Sequence, residues 1–382
     1  MNAARVESCR ALRVLSHLSL RGYCRCVSLP HTTNEPAAEE VPLALRSVRI
    51  AGVAPRSNGV NWTMAGQDGG QSIPLDCGSL FVFSDTLIAL APRQALSSLA
   101  IPLRREQAQF LGNCAAISDA TDLPGAMSSL HYFTDAQDRP REILVPTLAE
   151  RLAGYRFWPQ HGITVGTRVY LFYLGILHHN QTDPWGFTEQ GTGLAVLDIE
   201  TSDCRRIWLN DDWRLWPALP AECHCGVQLL READTVYIFS SRRGYPGYEA
   251  FLARVEQSRI EDPSAYEFFS GPAGWSPEIF DSVPLTECSS EYSVTFNAYL
   301  GRYLMLYADA MSKALMLRTA PKPWGPFSKP TIAGGLPHQP HANLVSVCFQ
   351  HAQFSGDEGR SIVLSYSQPQ FVQNTFVSIT FE

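Results

Sequence analysis

Gly78–Asp85, GSLFVFSD, is a turn residue followed by a short apolar and aromatic run, and text of the same kind returns four times further along the chain. The returns are TRVYLFYL from Thr167, DTVYIFSS from Asp234, GRYLMLYA from Gly301 and GRSIVLSY from Gly359. Aligned on Phe83, Phe172, Phe239, Leu306 and Leu364, they stand 89, 67, 67 and 58 residues apart. Runs rich in β-branched and aromatic residues that leave a turn residue are strands. Further strand candidates flank them: Gly193–Ile199 and Cys204–Leu209 after the second, Ala250–Val255 and Ala265–Ser270 after the third, Ala314–Thr319 after the fourth and Thr375–Phe381 after the fifth. One strand before each marker and one or two after it make a four-stranded antiparallel blade. A near-regular repeat of such units is the signature of a propeller. A single β-sandwich of about 100 residues cannot hold five of them. The sequence therefore predicts an all-β chain: a five-bladed β-propeller over residues 45–382, with short helices or loops at Ala95–Glu106 and Pro146–Leu152 and an extension over residues 1–44.

Composition agrees with this. The chain has 382 residues, 45% hydrophobic, 11% aromatic and only 18% charged, with 27 glycines and 26 prolines. Strands and turns use such a mix better than long helices do. A net charge of −7 and the lack of a Lys/Arg block in the body of the chain argue against a nucleic-acid partner. No window approaches the roughly 18 apolar residues of a membrane span. Residues 1–30 carry Arg5, Arg10, Arg13, Arg21 and Arg25 against Glu7. His17 and Arg21 interrupt the apolar runs, so the segment resembles a transit peptide more than a secretory signal and leaves the compartment open. Asn61-Trp62-Thr63 and Asn180-Gln181-Thr182 are glycosylation acceptors only on a secretory route.

Ten cysteines in a chain of this length are neither a disulfide scaffold nor a metal set. Cys223-His224-Cys225 would send both sulfurs to one face of a strand, but no CxxC pair completes a tetrahedral zinc site. The expectation is no metal ligand set and no cofactor, with an ion in the central channel an open alternative.

The first marker belongs to a hairpin, Gln67–Thr86, QDGGQSIPLDCGSLFVFSDT. Folding it about Asp76-Cys77 sets position 68 opposite position 85. Directly opposed residues have Cβ atoms about 4.5–5.5 Å apart, so Asp68 and Asp85 either share a proton or serve something that needs both. Glycoside hydrolysis needs such a set: an acid for the leaving oxygen and a carboxylate that attacks or activates water. Glu291, just before the fourth marker in ECSSEYSVTFN, is a third acid that should reach the same channel. Sugars are held by aromatic faces and planar hydrogen-bonding groups. Arg156, Trp158 and His161 in YRFWPQHG, Asp119, Arg318 in LMLRTA and His341 near Asn343 are the candidates around a carbohydrate, and Trp324 reads as blade packing. There is no GxSxG, P-loop, HExxH or GxGxxG.

Taken together, GQDGGQSIPL…GSLFVFSDTL, RFWPQHGITVGTRVYLFY, WSPEIF…SSEYSVTFNAYLGRYLMLY and LRTAPKPWGPFS resemble the family called domain of unknown function 4185, over nearly all of 45–382. That family is similar to five-bladed propeller glycosidases of the arabinanase and sialidase-like kind, and some members are endo-acting D-arabinanases. The resemblance implies catalytic aspartates in the GxDGG and FxDT motifs, which are Asp68 and Asp85 here. Ser84 stands where the family often has glycine and Cys77 occupies the turn, and neither change removes a carboxylate. The leading expectation is a monomeric glycosidase acting on a polysaccharide, possible substrates including arabinan-type furanosides. The alternative is a non-catalytic carbohydrate-binding or interaction propeller.

Overall fold

A computed structural model describes residues 45–53, 59, 61–90, 108–179, 186–220, 222–244, 247–310, 312–336, 345–368 and 373–382. The expected extension over 1–44, the Ala95–Glu106 segment, the acceptor at Asn180, and His341 with its neighbours His338 and Asn343 all lie outside the described residues.

The strands run in chain order around a ring of five antiparallel sheets. β1 (Leu45–Val53) comes first. Blade one is β2 (Thr63–Leu75), β3 (Gly78–Ala89), β4 (Ala108–Leu111), β5 (Cys114–Ser118) and β6 (His131–Tyr132). Blade two is β7 (Tyr155–Val165), β8 (Arg168–His178), β9 (Phe187–Asp198) and β10 (Cys204–Arg206). Blade three is β11 (Cys223–Glu232), β12 (Thr235–Arg243), β13 (Tyr248–Glu256), β14 (Glu267–Phe269), β15 (Trp275–Ser276) and β16 (Thr286–Cys288). Blade four is β17 (Ser293–Asn297), β18 (Arg302–Asp309), β19 (Ala314–Ala320) and β20 (Thr331–Gly335). Blade five is β21 (Ser346–Gln350), β22 (Ser361–Gln368) and β23 (Gln373–Phe381), and its fourth strand is β1, paired antiparallel with β23.

Each marker becomes the second strand of its blade. It reads as a continuous apolar run because both faces of a blade are covered, unlike a half-solvated sheet that alternates. Leu80 and Val82 join a core with Phe157, Leu171 and Tyr173 of blade two, while Phe81 and Phe83 turn the other way, toward Phe376 of blade five. The same division recurs between blades two and three, three and four, and four and five, giving five cores, one per blade interface. Each buried large apolar side chain contributes about 1.5–3 kcal/mol relative to exposure.

The four-stranded rule needs correction in two blades. β4 and β5 share the outer edge of β3, and blade three has six strands because β14 and β16 both pair with β13. Ala265–Ser270 and Cys204–Leu209 shorten to β14 and β10. Among the described residues two short α-helices appear: α1 (Leu123–Ser128), capped by Asp122, and α2 (Leu148–Ala153), started by the Thr147/Glu150 capping box and stopped by Gly154 at φ 95°. The sequence pattern anticipates only the second.

The innermost strands β2, β7, β11 and β21 each carry a register shift partway along. Such bulges bend a strand and re-aim its side chains, which suits strands converging on an axis. The axis itself is closed by polar side chains. Gln71 donates to the Val227 carbonyl at 3.1 Å, Thr295 to Gln350 at 2.9 Å, and His351 bridges Ser72 and Ser365 at 2.7 and 2.8 Å.

Candidate active site

The β2–β3 hairpin turns at Asp76-Cys77, and Leu75 pairs with Gly78, Ile73 with Leu80, Gln71 with Val82 and Gln67 with Thr86. Between the last two pairs the ladder breaks: Gly69 pairs with Phe83, with shifts on either side. Gly69 and Gly70 hold φ of 83° and 96°, conformations open to glycine and costly for other residues. Asp68 and Asp85 therefore both fall in the bulge, outside the paired ladder, and the Asp68 charge still reaches Asp85.

Asp68 Oδ1 accepts from its neighbour's backbone, Gly69 N at 2.9 Å, and from Ser367 Oγ of β22 at 2.7 Å. No described residue donates to Oδ2. Burial raises the Asp68 pKa above the usual carboxylate range, and those two hydrogen bonds offset it only in part. Asp85 is held differently. Trp158 Nε1 donates to Oδ1 at 2.8 Å and Arg156 Nη1 lies 3.5 Å from Oδ2. Burial pushes Asp85 up to about 6 against both of these, with a further push from the Asp68 charge. Glu291, immediately before β17, has a carboxyl that accepts no hydrogen bond from a described residue. Burial, then the charges of Asp68 and Glu189, push it up to about 8. Three carboxyls from blades one and four thus share one mouth of the ring with unequal acidities.

Arg156 and Trp158 enter this group from the start of β7. The Trp158 ring stands edge-on to Phe187, centroids 5.1 Å apart, and the Arg156 guanidinium lies 4.2 Å from the Phe110 ring centroid. His161 does not stand with them. The β7 bulge turns it into the axis, where Nδ1 accepts from Leu229 N at 3.2 Å. Burial lowers it to about 4. Its hollow, about 340 Å3, opens among Pro74, Thr164, Arg231 and Phe296, at the C-terminal ends of the inner strands and away from the carboxyls. Asp119 is exposed beside the Asp76-Cys77 turn, against Gly78, also at the far end of blade one. Arg318 is buried on β19, donating to the Ser328 carbonyl at 2.9 Å with Glu287 3.8 Å away. The structure therefore leaves Asp119 and Arg318 apart from the carboxyl group.

Asn113 is a clamp between blades. Its Oδ1 accepts from Ile143 N and Leu144 N, and its Nδ2 donates to the Leu144 and Phe157 carbonyls. Trp324 packs against Tyr237 and Trp275. Cys223 and Cys225 both join the apolar core between blades two and three, while His224 faces the other way, with Nε2 2.9 Å from Glu189 Oε1. Ser367 and Glu189 are the site residues that sequence reasoning missed. Neither stands in a repeated motif, and only the ring closure and the β9 path bring them to the mouth.

These features define a five-bladed β-propeller with carboxyls gathered at one axial mouth. The chain belongs to DUF4185, a domain of unknown function whose family model matches residues 54–357. No curated protein sequence matches it significantly. Among solved structures, a Bacteroides ovatus protein provisionally designated a hydrolase superposes with a TM-score of 0.59 at 14% identity, over 82% of this chain and 85% of that one. The catalytic domain of a Coprinopsis cinerea GH62 α-L-arabinofuranosidase gives 0.48 at 10% identity, over 89% and 98%. A family 117 glycoside hydrolase of Zobellia galactanivorans gives 0.49 at 10%, over 87% and 90%. At such identities the first of these likenesses speaks for the fold alone.

Proposed function

We propose that this protein is a glycoside hydrolase acting on a polysaccharide, with an arabinan-type furanoside as the leading substrate class. The observation that supports the reading is that the charge of Asp68, on the hairpin bulge, reaches both Asp85 of the same blade and Glu291 ahead of blade four. Breaking a glycosidic bond needs a protonated acid and an ionised carboxylate together at one pH. Glu291, protonated at neutral pH, donates to the leaving oxygen. Asp68, through the Oδ2 that no described residue engages, acts at the sugar carbon or on the water that attacks it. Asp85, anchored by Trp158 and Arg156, keeps the negative charge that steadies the positive sugar ring in the transition state. The resemblance to D-arabinanases supports the substrate class.

The test is release of reducing ends from a panel of arabinans and other glycans by the parent, Asp68→Asn and Asp85→Asn proteins. The parent should be active on at least one glycan, and each variant should lose about a thousandfold or more in kcat with a nearly unchanged melting temperature. Full activity in both variants would sink the assignment.

A further inference from the structure

On the face that carries the carboxyls, two adjoining hollows open between blades one and two. The inner one, about 170 Å3, is lined by Phe110, Glu142, Arg151, Tyr155, Arg156 and His178 among others. The outer one, about 310 Å3, shares Phe110, Glu142 and Arg151 and continues to Arg141 and Val145. Their link to the carboxyls is direct. Arg156 lines the inner hollow with its Nη1 3.5 Å from Asp85, and Phe110 on β4 pairs with Leu87, two residues beyond Asp85 on β3. The line from Asp85 through Arg156 and Phe110 to Val145 runs outward from the axis toward the rim.

The chemistry of this path is specific. Glu142 is occupied, with Oε1 accepting from Gly112 N at 2.9 Å and Oε2 bound to Arg151 at 2.7 Å, so its charge is neutralised and its position fixed. Phe110 has one face under the Arg156 guanidinium and is 46% exposed, so the rest of its ring is open to a ligand. A guanidinium has five donors, and the only described acceptor of Arg156 is Asp85. An open aromatic ring beside unspent donors, with the lining carboxylates Glu142 and Asp135 each paired to an arginine, suits an uncharged polyhydroxyl chain, whose C–H faces stack and whose hydroxyls accept.

Resting on the hydrolase reading above, we propose that this radial groove between blades one and two holds the glycan chain as it continues from the bond being cleaved, with Phe110 as the stacking platform. The protein would then recognise several successive sugars and act on polymers in preference to short glycosides.

The test is calorimetric titration of the parent, Phe110→Ala and Val145→Trp proteins with length ladders of oligosaccharides from arabinan, xylan and cellulose, beside cleavage of the same ladders. Phe110 and Val145 are both substantially exposed, so both variants should fold, which their melting temperatures check. The parent should bind one ladder more tightly as it lengthens. Phe110→Ala should lose about five- to tenfold in affinity for the longer members, Val145→Trp should lose only the increment from the longest, and neither should change affinity for the shortest. Equal affinities of parent and both variants at every length, or no binding of any ladder, overturns the groove. Length-dependent binding without cleavage leaves the groove standing and removes the hydrolase reading.

Discussion

Asp85 and Glu291 differ in what surrounds their oxygens, and that difference sets a pH window. Asp85 and Asp68 must both be ionised, Asp85 lying at about 6 and Asp68 raised by burial above the usual carboxylate range, while Glu291 must keep its proton and lies at about 8. Activity should rise as pH passes about 6, fall past about 8, and peak between them. Trp158→Phe keeps a ring against Phe187 but deletes the donor to Asp85 Oδ1. Losing a hydrogen bond that favours the ionised form raises the carboxyl's pKa, so the acidic limb should move to higher pH. Glu291→Gln should lose most activity, and whatever remains should lack the alkaline limb. A kcat/KM profile from pH 4 to 10 on the three proteins checks both, and an unmoved acidic limb in the Trp158 variant would detach that indole from Asp85. At this scale the sequence was partly legible. The two aspartates and Glu291 could be named because hairpin symmetry and the marker repeat give their positions. Arg318 and Asp119 could not be placed, since neighbourhood in sequence does not say which end of a strand, or which layer of a blade, a side chain will occupy. His161 stands apart from the carboxyls for a related reason: the bulge at Gln160-His161 redirects it into the axis.

The β2–β3 hairpin shows what an element's sequence can and cannot specify. A two-residue turn fixes register from both sides, so the pairing of Leu75, Ile73, Gln71 and Gln67 follows from the position of Asp76-Cys77. The interruption between Gln67 and Gln71 was signalled only by the glycine pair, which reads equally as a loop. It nevertheless sets the Asp68 geometry. A Cβ on Gly70 would lie 2.6 Å from Asn374 Nδ2, at a φ of 96°. Gly70→Ala should therefore destabilise the fold by about 1–3 kcal/mol and lower activity further by shifting Asp68. Urea denaturation beside kcat measures the two effects, and an alanine variant matching the parent in both would show that the bulge does not depend on this glycine.

Across the whole molecule, stability is spread over five cores that each join neighbouring blades, so no blade has a core of its own. The ring was legible because every marker strand is buried on both faces and so repeats as an uninterrupted apolar run. Its closure was not. LRSVRIAGV of β1 has charged and small residues among its apolar ones and matches no marker, since it is an outermost strand with Leu45 and Val48 packed against the core between blades four and five. Removing residues 1–53 should lower the melting temperature by about 10 °C relative to a chain starting at Leu45, because β23 loses one of its two partners. Its unpaired edge would also invite association between molecules. Differential scanning calorimetry and light scattering on the two chains measure this, and identical melting curves would mean that the β1–β23 pairing is dispensable.

That pairing also sets an order of events during synthesis. The first described strand is matched to the last, so a nascent chain has to carry β1 unpartnered while four complete blades emerge, and the circle joins only once β23 has left the ribosome. Closure of the ring is thereby tied to the emergence of β23. A chain stalled anywhere before β23 exposes two open sheet edges at once, the kind of surface that chaperones bind and proteases find.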